Sequence, residues 1–151
     1  MKKNLIQRYV FSILLVISLI HFSCSIKPQE IEYGIDNCIF CDMTIIDNKH
    51  SAEVVTSKGK VFKFDAIECM IRYTLKNDNS DYAYQLIADF SNPGQLVDAP
   101  TSSYLISENI PSPMGSYLSG FSSNESAKTV QQLNSGTIYT WDQIIFYFKK
   151  S

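Results

Sequence analysis

Residues 51–75 read SAEVVTSKGKVFKFDAIECMIRYTL and contain two strand patterns followed by a helix pattern. The runs SAEVVT and KVFKF are short and contain several β-branched or aromatic residues, as strands do. Lys58-Gly59 separates them, and glycine adopts the positive φ that tight hairpin turns need. We therefore predict that the two runs pair as an antiparallel hairpin.

A helix pattern follows the second strand directly. Asp65 and Glu68 lie three residues apart, the spacing of a capping box in which two side chains satisfy free N–H groups at a helix start. The apolar residues from Ile67 to Leu75 recur at helical spacing. YAYQLIADF, at residues 82–90, then has the composition of a strand. The predicted order is β-β-α-β.

A similar order recurs in the second half of the chain. Each half has a helix directly after a strand that ends in Phe, in VFKFDAIE and YLSGFSSNE. We predict the α+β class, built from two small β-β-α-β units over residues 38–98 and 99–151. The elements of the second unit are strands at residues 103–107, 117–121 and 137–140, a helix capped by Ser122 and Glu125 that ends near Leu133, and a helix capped by Thr140 over residues 141–148.

The N-terminus has the pattern of an export signal. Three basic residues precede an apolar run from Tyr9 to Phe22, which is shorter than the roughly 20 residues of a membrane span. Ser23-Cys24 closes this run and resembles a bacterial lipobox. We predict a signal peptide over residues 1–23 and lipid on Cys24, which would anchor the protein on the periplasmic or cell-envelope side of a membrane. The alternatives are an ordinary signal peptide and an N-terminal membrane anchor.

Residues 24–37 are predicted to form a lipidated tether. They are polar, contain Pro28 and Gly34, and show no period. Fully extended, they would reach roughly 45 Å. Residues 1–23 hold three of the 13 basic residues and none of the 15 acidic ones, so the remainder has a net charge of −5. Such a surface argues against a nucleic-acid partner, because phosphate binding needs clustered basic residues.

Cys38-Ile-Phe-Cys41-Asp-Met43 is the segment most informative about function. Cys-x-x-Cys lets two thiols face one centre, and in an extended stretch Cys41 and Met43 would share a side. Thiolate and thioether ligands favour Cu(I), whereas zinc sites rarely use a thioether. Three alternatives remain open: a Cys38–Cys41 disulfide in an oxidising compartment, a thiol redox motif, and Met43 as core filler.

Other sulfur and imidazole groups are possible ligands. Cys69 and Met70 lie in the predicted helix, where buried packing is the expected role of both. Met114 is presented by the Pro-rich segment PSPMG and could either pack on the core or bind metal. His50 is expected in an exposed turn, and Cys69, Met70 and His50 remain minor ligand candidates. No phosphate-binding glycine loop, zinc-protease motif or nucleophile elbow is present, so we predict a binding protein and not an enzyme.

The sequence resembles the NosL-type lipoproteins, copper chaperones for assembly of nitrous oxide reductase. The resemblance rests on four segments in one order: Cys38-x-x-Cys41-x-Met43, Phe64-Asp65-x-x-x-Cys69-Met70, Pro113-Met114-Gly115 and Phe121…Ala127. It implies a fold of two β-β-α-β units, related to an organomercurial-lyase-like domain. It also implies Cu(I) bound by Cys41, Met43 and Met114. The Cys-x-x-Cys spacing leaves Cys38 as a further possible ligand.

The same resemblance implies the partners. These are an ABC-type membrane complex and nitrous oxide reductase, or a related copper enzyme. One position departs from the family, because Asp42 stands where members commonly have Gly between the Cys and the Met. A different class of function stays open, namely a disulfide-stapled interaction lipoprotein without metal, and so does a thiol redox accessory protein.

Overall fold

The computed structural model describes residues 26–78 and 80–150, which form antiparallel strands and helices. This mixture confirms the predicted α+β class. The predicted signal peptide and Cys24 lie outside the described residues, and no helix within them is long and apolar enough to cross a membrane. The elements in chain order are β1 Ala52–Thr56, β2 Val61–Phe64, α1 Ile67–Lys76, β3 Tyr82–Asp89, β4 Asn92–Asp98, β5 Ser103–Ile106, β6 Leu118–Phe121, α2 Asn124–Asn134, β7 Thr137–Tyr139 and α3 Trp141–Lys150.

The first sheet has the strand order β2-β1-β3-β4, with every pair antiparallel. The predicted hairpin of β1 and β2 is confirmed, and Gly59 has a φ of 80° in its turn. The sequence did not predict β4, because Pro93 and Gly94 near its start are typical of a turn. Proline is tolerated in β4 because this strand lies at the sheet edge, where a missing N–H breaks no ladder.

The second sheet has the order β6-β5-β7 and joins the first near the end of β3. Phe90 N–H donates to the Gly120 carbonyl oxygen at 2.8 Å. A Cβ on Gly120 would lie 2.3 Å from Cδ1 of Ile87 and 2.9 Å from Cδ1 of Ile67, so a larger residue would force these buried side chains to move. Both units contribute to one continuous core, with buried side chains that include Phe64, Met70, Tyr104, Leu118 and Ile144. Burying each large side chain contributes about 1.5–3 kcal/mol.

The helix starts differ from the predicted caps at two of three places. The N-cap of α1 is Ala66 and no side chain caps it, so the predicted capping box there is wrong. Ser123 caps α2 by accepting from Ser126 N–H, one residue later than predicted. Thr140 caps α3 as predicted, and its own N–H donates to Oε1 of Gln143 at 2.9 Å.

The described part of the predicted tether packs on the first sheet. Gln29 N–H donates to Oε1 of Glu53 at 3.0 Å, and Ile31 is buried in the core. Nζ of Lys63 donates to the Glu30 carbonyl oxygen and to Oδ2 of Asp36, each at 2.6 Å. Residues 29–37 therefore belong to the folded part, and the predicted tether boundary at residue 37 is too late.

Candidate metal centre

Backbone hydrogen bonds close the Cys-x-x-Cys segment into a tight loop. Cys38 N–H donates to the Met43 carbonyl oxygen at 2.8 Å, and Asp42 N–H donates to the Cys38 carbonyl oxygen at 2.9 Å. The chain thus reverses direction within six residues. This reversal turns Cys38 and Cys41 toward one point, as the spacing predicted.

The loop turns at Asp42, the position where the family resemblance leads us to expect Gly. Its φ is 60°, in the left-handed region that glycine enters freely and that Asp enters more readily than most other residues. The backbone therefore turns at Asp42, and the expectation that Cys41 and Met43 share one side of an extended stretch is wrong. Asp42 therefore adopts here the left-handed conformation that a glycine at this position would adopt freely.

Cys69 meets this loop from α1. Ile39 N–H donates to the Lys63 carbonyl oxygen at 3.1 Å, which fixes the loop beside the end of β2, and α1 begins soon after that strand. The sulfur atoms of Cys38, Cys41 and Cys69 lie within 4.8 Å of one another. Three sulfurs around one ion, at metal–thiolate bonds of about 2.3 Å, would lie about 4 Å apart. The three cysteines, free thiols in this structure, therefore have the spacing of a three-sulfur metal site.

Hydrogen bonds among the thiols prepare one of them as a thiolate. The Cys69 thiol donates to Cys38 and, against the effect of burial and aided by backbone N–H groups of the loop and of Asp65, lowers the pKa of Cys38 to about 5. The same donated bond, together with burial, raises the pKa of Cys69. Burial is also the main cause that raises the pKa of Cys41. Metal binding must therefore displace protons from Cys41 and Cys69 at neutral pH.

Two buried carboxylates flank the start of α1 beside the thiols. Asp65 and Glu68 are each 1% exposed. Oδ1 of Asp65 and Oε2 of Glu68 have no hydrogen-bond partner among the described residues. Burial, followed by the negative charge of Cys38, raises the pKa of Asp65. The surroundings of the thiols thus favour a cation, a feature that the sequence analysis missed because it assigned both carboxylates to a cap.

The methionines predicted as ligands occupy different surroundings. Met43 is 48% exposed beside the cysteine loop, and Met114 is 41% exposed on the loop before β6. The Met114 loop contacts α1 through Glu68, the residue before Cys69. Met70 is fully buried in the core, as its helical position predicted.

His50 is buried, which corrects the expectation of an exposed turn. Its Nδ1 lies 2.9 Å from Oδ2 of Asp47, and its Nε2 lies 3.2 Å from Oγ of Ser119. Its ring also contacts Phe90 edge-on. Both ring nitrogens therefore have hydrogen-bond partners, and neither partner is a cysteine.

The sequence did not predict that Cys69 joins the cysteine loop in one site. Its helical position favoured packing, and nothing in the local pattern indicated that a loop some thirty residues earlier would reach it. The odd number of cysteines after Cys24 and the place of Cys69 in the family-like segment were the two signals of a shared site.

The family of the chain follows from comparison with known proteins. A scan against protein families matches residues 29–146 to NosL. The chain belongs to the NosL family. The predicted family is therefore confirmed, and the match covers the cysteine loop, α1 and the Met114 loop.

A solved NosL structure has the same fold. The crystal structure of the copper chaperone NosL from Shewanella denitrificans matches with a TM-score of 0.68 and 19% sequence identity, covering 79% of this chain and 96% of that chain. At this identity the likeness shows the fold alone. No curated protein matches the chain significantly in sequence.

Proposed function

We propose that this NosL-family protein is a Cu(I) metallochaperone and not an enzyme. Its site is centred on the thiolates of Cys38, Cys41 and Cys69, with the thioethers of Met43 and Met114 as additional ligands. The observation that carries the proposal is the convergence of three cysteine sulfurs within 4.8 Å of one another. Family membership and the fold of a copper chaperone support it.

The donor set supports Cu(I) over harder ions. Thiolate and thioether sulfurs are soft ligands that select Cu(I), and nearby buried carboxylates add negative charge. A three-cysteine site could also hold zinc, which usually completes four ligands with Cys, His or water. The exposed Met43 beside the loop favours copper, because a thioether is a poor zinc ligand.

The burial of the ligands supports a transfer mechanism. Cys38 and Cys69 are almost fully buried, whereas Cys41 is partly exposed and Met43 is exposed. A thiolate, thioether or imidazole of a partner would therefore reach the ion from the side of Cys41 and Met43. Stepwise replacement of these outer ligands would pass Cu(I) on without releasing it to water.

The destination we propose is nitrous oxide reductase or a related copper enzyme, reached with an ABC-type membrane complex. The lipobox-like Ser23-Cys24 supports attachment to the membrane on the periplasmic or cell-envelope side. Confinement to that surface would raise the effective concentration of the chaperone near a membrane partner. The net charge of −5 after residue 23 would assist pairing with a basic face.

The test is a Cu(I) titration of residues 25–151, which include all of the described core. The reduced protein, kept without oxygen, competes with a chromogenic chelator for Cu(I), with Zn(II) titrated in parallel. We expect tight Cu(I) binding that greatly exceeds Zn(II) binding, is lost in Cys41→Ala and is weakened in Met43→Ala with the fold intact. Ile46→Ala, which removes an exposed apolar side chain without sulfur, should bind like the parent.

Two outcomes would contradict the proposal. If the folded, reduced protein did not bind Cu(I), the metallochaperone function would be wrong and the disulfide-stapled interaction lipoprotein would replace it. If Met43→Ala bound Cu(I) like the parent, Met43 would be removed from the ligand set while the cysteine site stood.

A further inference from the structure

Glu68 connects α1 to the loop that carries Met114. Oγ of Ser112 donates to Oε1 of Glu68 at 2.5 Å, and Ser116 N–H donates to the same oxygen at 3.4 Å. The two donors lie 44 and 48 residues after Glu68 in the chain. Glu68 itself is 1% exposed, so this contact lies inside the molecule.

The two hydrogen bonds hold both ends of a short turn whose tip is Met114. Gly115 N–H donates to the Ser112 carbonyl oxygen at 3.0 Å, and Gly115 has a φ of 73°, which a residue with a side chain rarely adopts. Pro113 fixes the φ before the tip. With both ends of the turn bound to one carboxylate oxygen, the position of Met114 relative to α1 depends on Glu68.

Glu68 is also adjacent to a cysteine of the metal centre. Cys69 follows it in α1, and both side chains are almost fully buried. A buried carboxylate is costly unless its partners compensate, and Oε2 of Glu68 has no partner among the described residues. The carboxylate therefore retains a cost that an apolar residue would avoid, and its contacts through Oε1 go to the Met114 loop.

We propose that Glu68 is a positioning residue that holds the thioether of Met114 at the three-cysteine site. This inference rests on the proposed Cu(I) function and adds to it a residue that acts through Met114. Glu68 does not touch the ion. Its role is to fix the Met114 loop on the helix that supplies Cys69, so that a thioether from the second unit meets thiolates from the first.

The test is a double-mutant cycle on the full chain, purified in detergent, reduced and without oxygen. Glu68→Ala should weaken Cu(I) binding about tenfold, a typical effect of removing an outer-shell partner. Met114→Leu should weaken binding at least as much, since Leu keeps the size and loses the sulfur. The double variant should be no weaker than Met114→Leu alone, because Glu68 acts only through Met114.

Three further measurements separate positioning from a general effect on stability. Glu68→Gln, which keeps an oxygen for both donors, should restore most of the affinity. X-ray absorption at the copper edge should show one sulfur ligand fewer in Glu68→Ala and in Met114→Leu. The melting temperature of the metal-free protein should fall by the same amount when Glu68→Ala is made in either background.

Serine variants provide a matched pair if Glu68→Ala does not fold. Ser112→Ala removes the shorter bond to Glu68 and should weaken Cu(I) binding. Ser107→Ala removes the hydroxyl of another buried serine, which donates to the Asn134 carbonyl oxygen at 2.7 Å, and should leave binding unchanged. Equal Cu(I) affinities in these two variants would overturn the inference.

The remaining outcomes are distinct from failure of the proposed function. If Glu68→Ala weakened binding as strongly in the Met114→Leu background as in the parent, Glu68 would act elsewhere and the inference would be overturned. If Met114→Leu bound Cu(I) like the parent, the inference would also fall, while cysteine-dependent binding would leave the chaperone proposal intact. If the parent protein did not bind Cu(I), both the Glu68 inference and the chaperone proposal would be wrong.

Discussion

The starts of α1 and α2 share one sequence pattern but differ in burial and in capping. Both helices come directly after a strand that ends in a buried Phe, Phe64 in one case and Phe121 in the other. The start of α2 is solvated and is capped by the Ser123 hydroxyl. The start of α1 is buried over its first five residues and has no side-chain cap.

The start of α1 lacks a stabilising cap and instead contributes residues to the metal site and its surroundings. Aligned on the two Phe residues, Glu68 corresponds to the exposed Glu125, and Cys69 corresponds to Ser126. Glu68 contacts the Met114 loop, and Cys69 belongs to the cysteine cluster. Ser126, in contrast, donates its N–H to the side chain of Ser123, which caps the helix. A helix that violates the capping rule inside an otherwise regular fold indicates that its end has another task.

The largest expected effect is on metal affinity at position 69. Cys69→Ser should weaken Cu(I) binding by at least about 100-fold, the upper end of what outer-shell changes cost, because it removes a ligand sulfur. The corresponding change in the other helix, Ser126→Cys, adds a thiol outside the cysteine group found among the described residues and should not create a second Cu(I) site. Chelator competition on both variants measures the contrast. A Cys69→Ser protein with parental affinity would mean that α1 is not part of the site.

The next effect concerns the cap of α2. Ser123→Ala removes the acceptor for Ser126 N–H and should lower the free energy of unfolding by about 1 kcal/mol. Urea unfolding of the metal-free protein measures this loss, and Cu(I) affinity should not change. Ser57→Ala, at an exposed serine in the β1–β2 turn, should stay within about 0.5 kcal/mol of the parent. A large loss of Cu(I) affinity in Ser123→Ala would contradict the separation of the two helix starts.

The smallest effect is a gain in stability at the start of α1. Burial raises the pKa of Asp65 above its ordinary 3.8, so its charged form disfavours folding at neutral pH. Asp65→Asn should therefore raise the melting temperature of the metal-free protein at pH 7. The gain should shrink as the pH falls through the raised pKa of Asp65 and disappear below 3.8, where Asp65 is protonated in both the folded and the unfolded state.

Asp89 provides the opposite case for that measurement. Although burial opposes them, hydrogen bonds from Asn92 and Ser122 lower the pKa of Asp89. Its charged form thus stabilises the fold above pH 3.8 and this stabilisation is lost as the pH falls further. Asp89→Asn should lower the melting temperature at pH 7. Equal signs for the two variants would show that burial at Asp65 does not set its contribution.

Local patterns predicted most of the fold. Alternation, the Lys58-Gly59 turn and helical spacing were sufficient for the hairpin and α1, since these depend on neighbours in sequence. The edge strand β4 was missed because Pro93 and Gly94 have the same composition in a turn and at a sheet edge. The capping box predicted at the start of α1 was wrong because a capping box and a pair of buried carboxylates have the same spacing. Only burial in the folded protein distinguishes them.

The site was predicted in part for a related reason. The Cys-x-x-Cys segment is local and was identified directly, and Met43 was placed beside it. The approach of Cys69 depends on the packing of α1 under a loop far away in sequence, so spacing alone could not reveal it. The contact of Glu68 with Ser112 spans both halves of the chain and carries no sequence signature.

The packing of the N-terminal segment would set the orientation of the domain on a membrane if Cys24 carries lipid. Cγ1 of Ile26 lies 3.9 Å from the place a Cβ on Gly59 would occupy, so the first described residue lies beside the β1–β2 turn. An anchor at Cys24 would be only two residues away, at most about 7 Å. Lys58 and Lys60, which are exposed in that turn, would then lie near the membrane surface. The cysteine loop, at the other end of β2, would be held at a fixed height on the outward side, so a recipient would have to come to the copper.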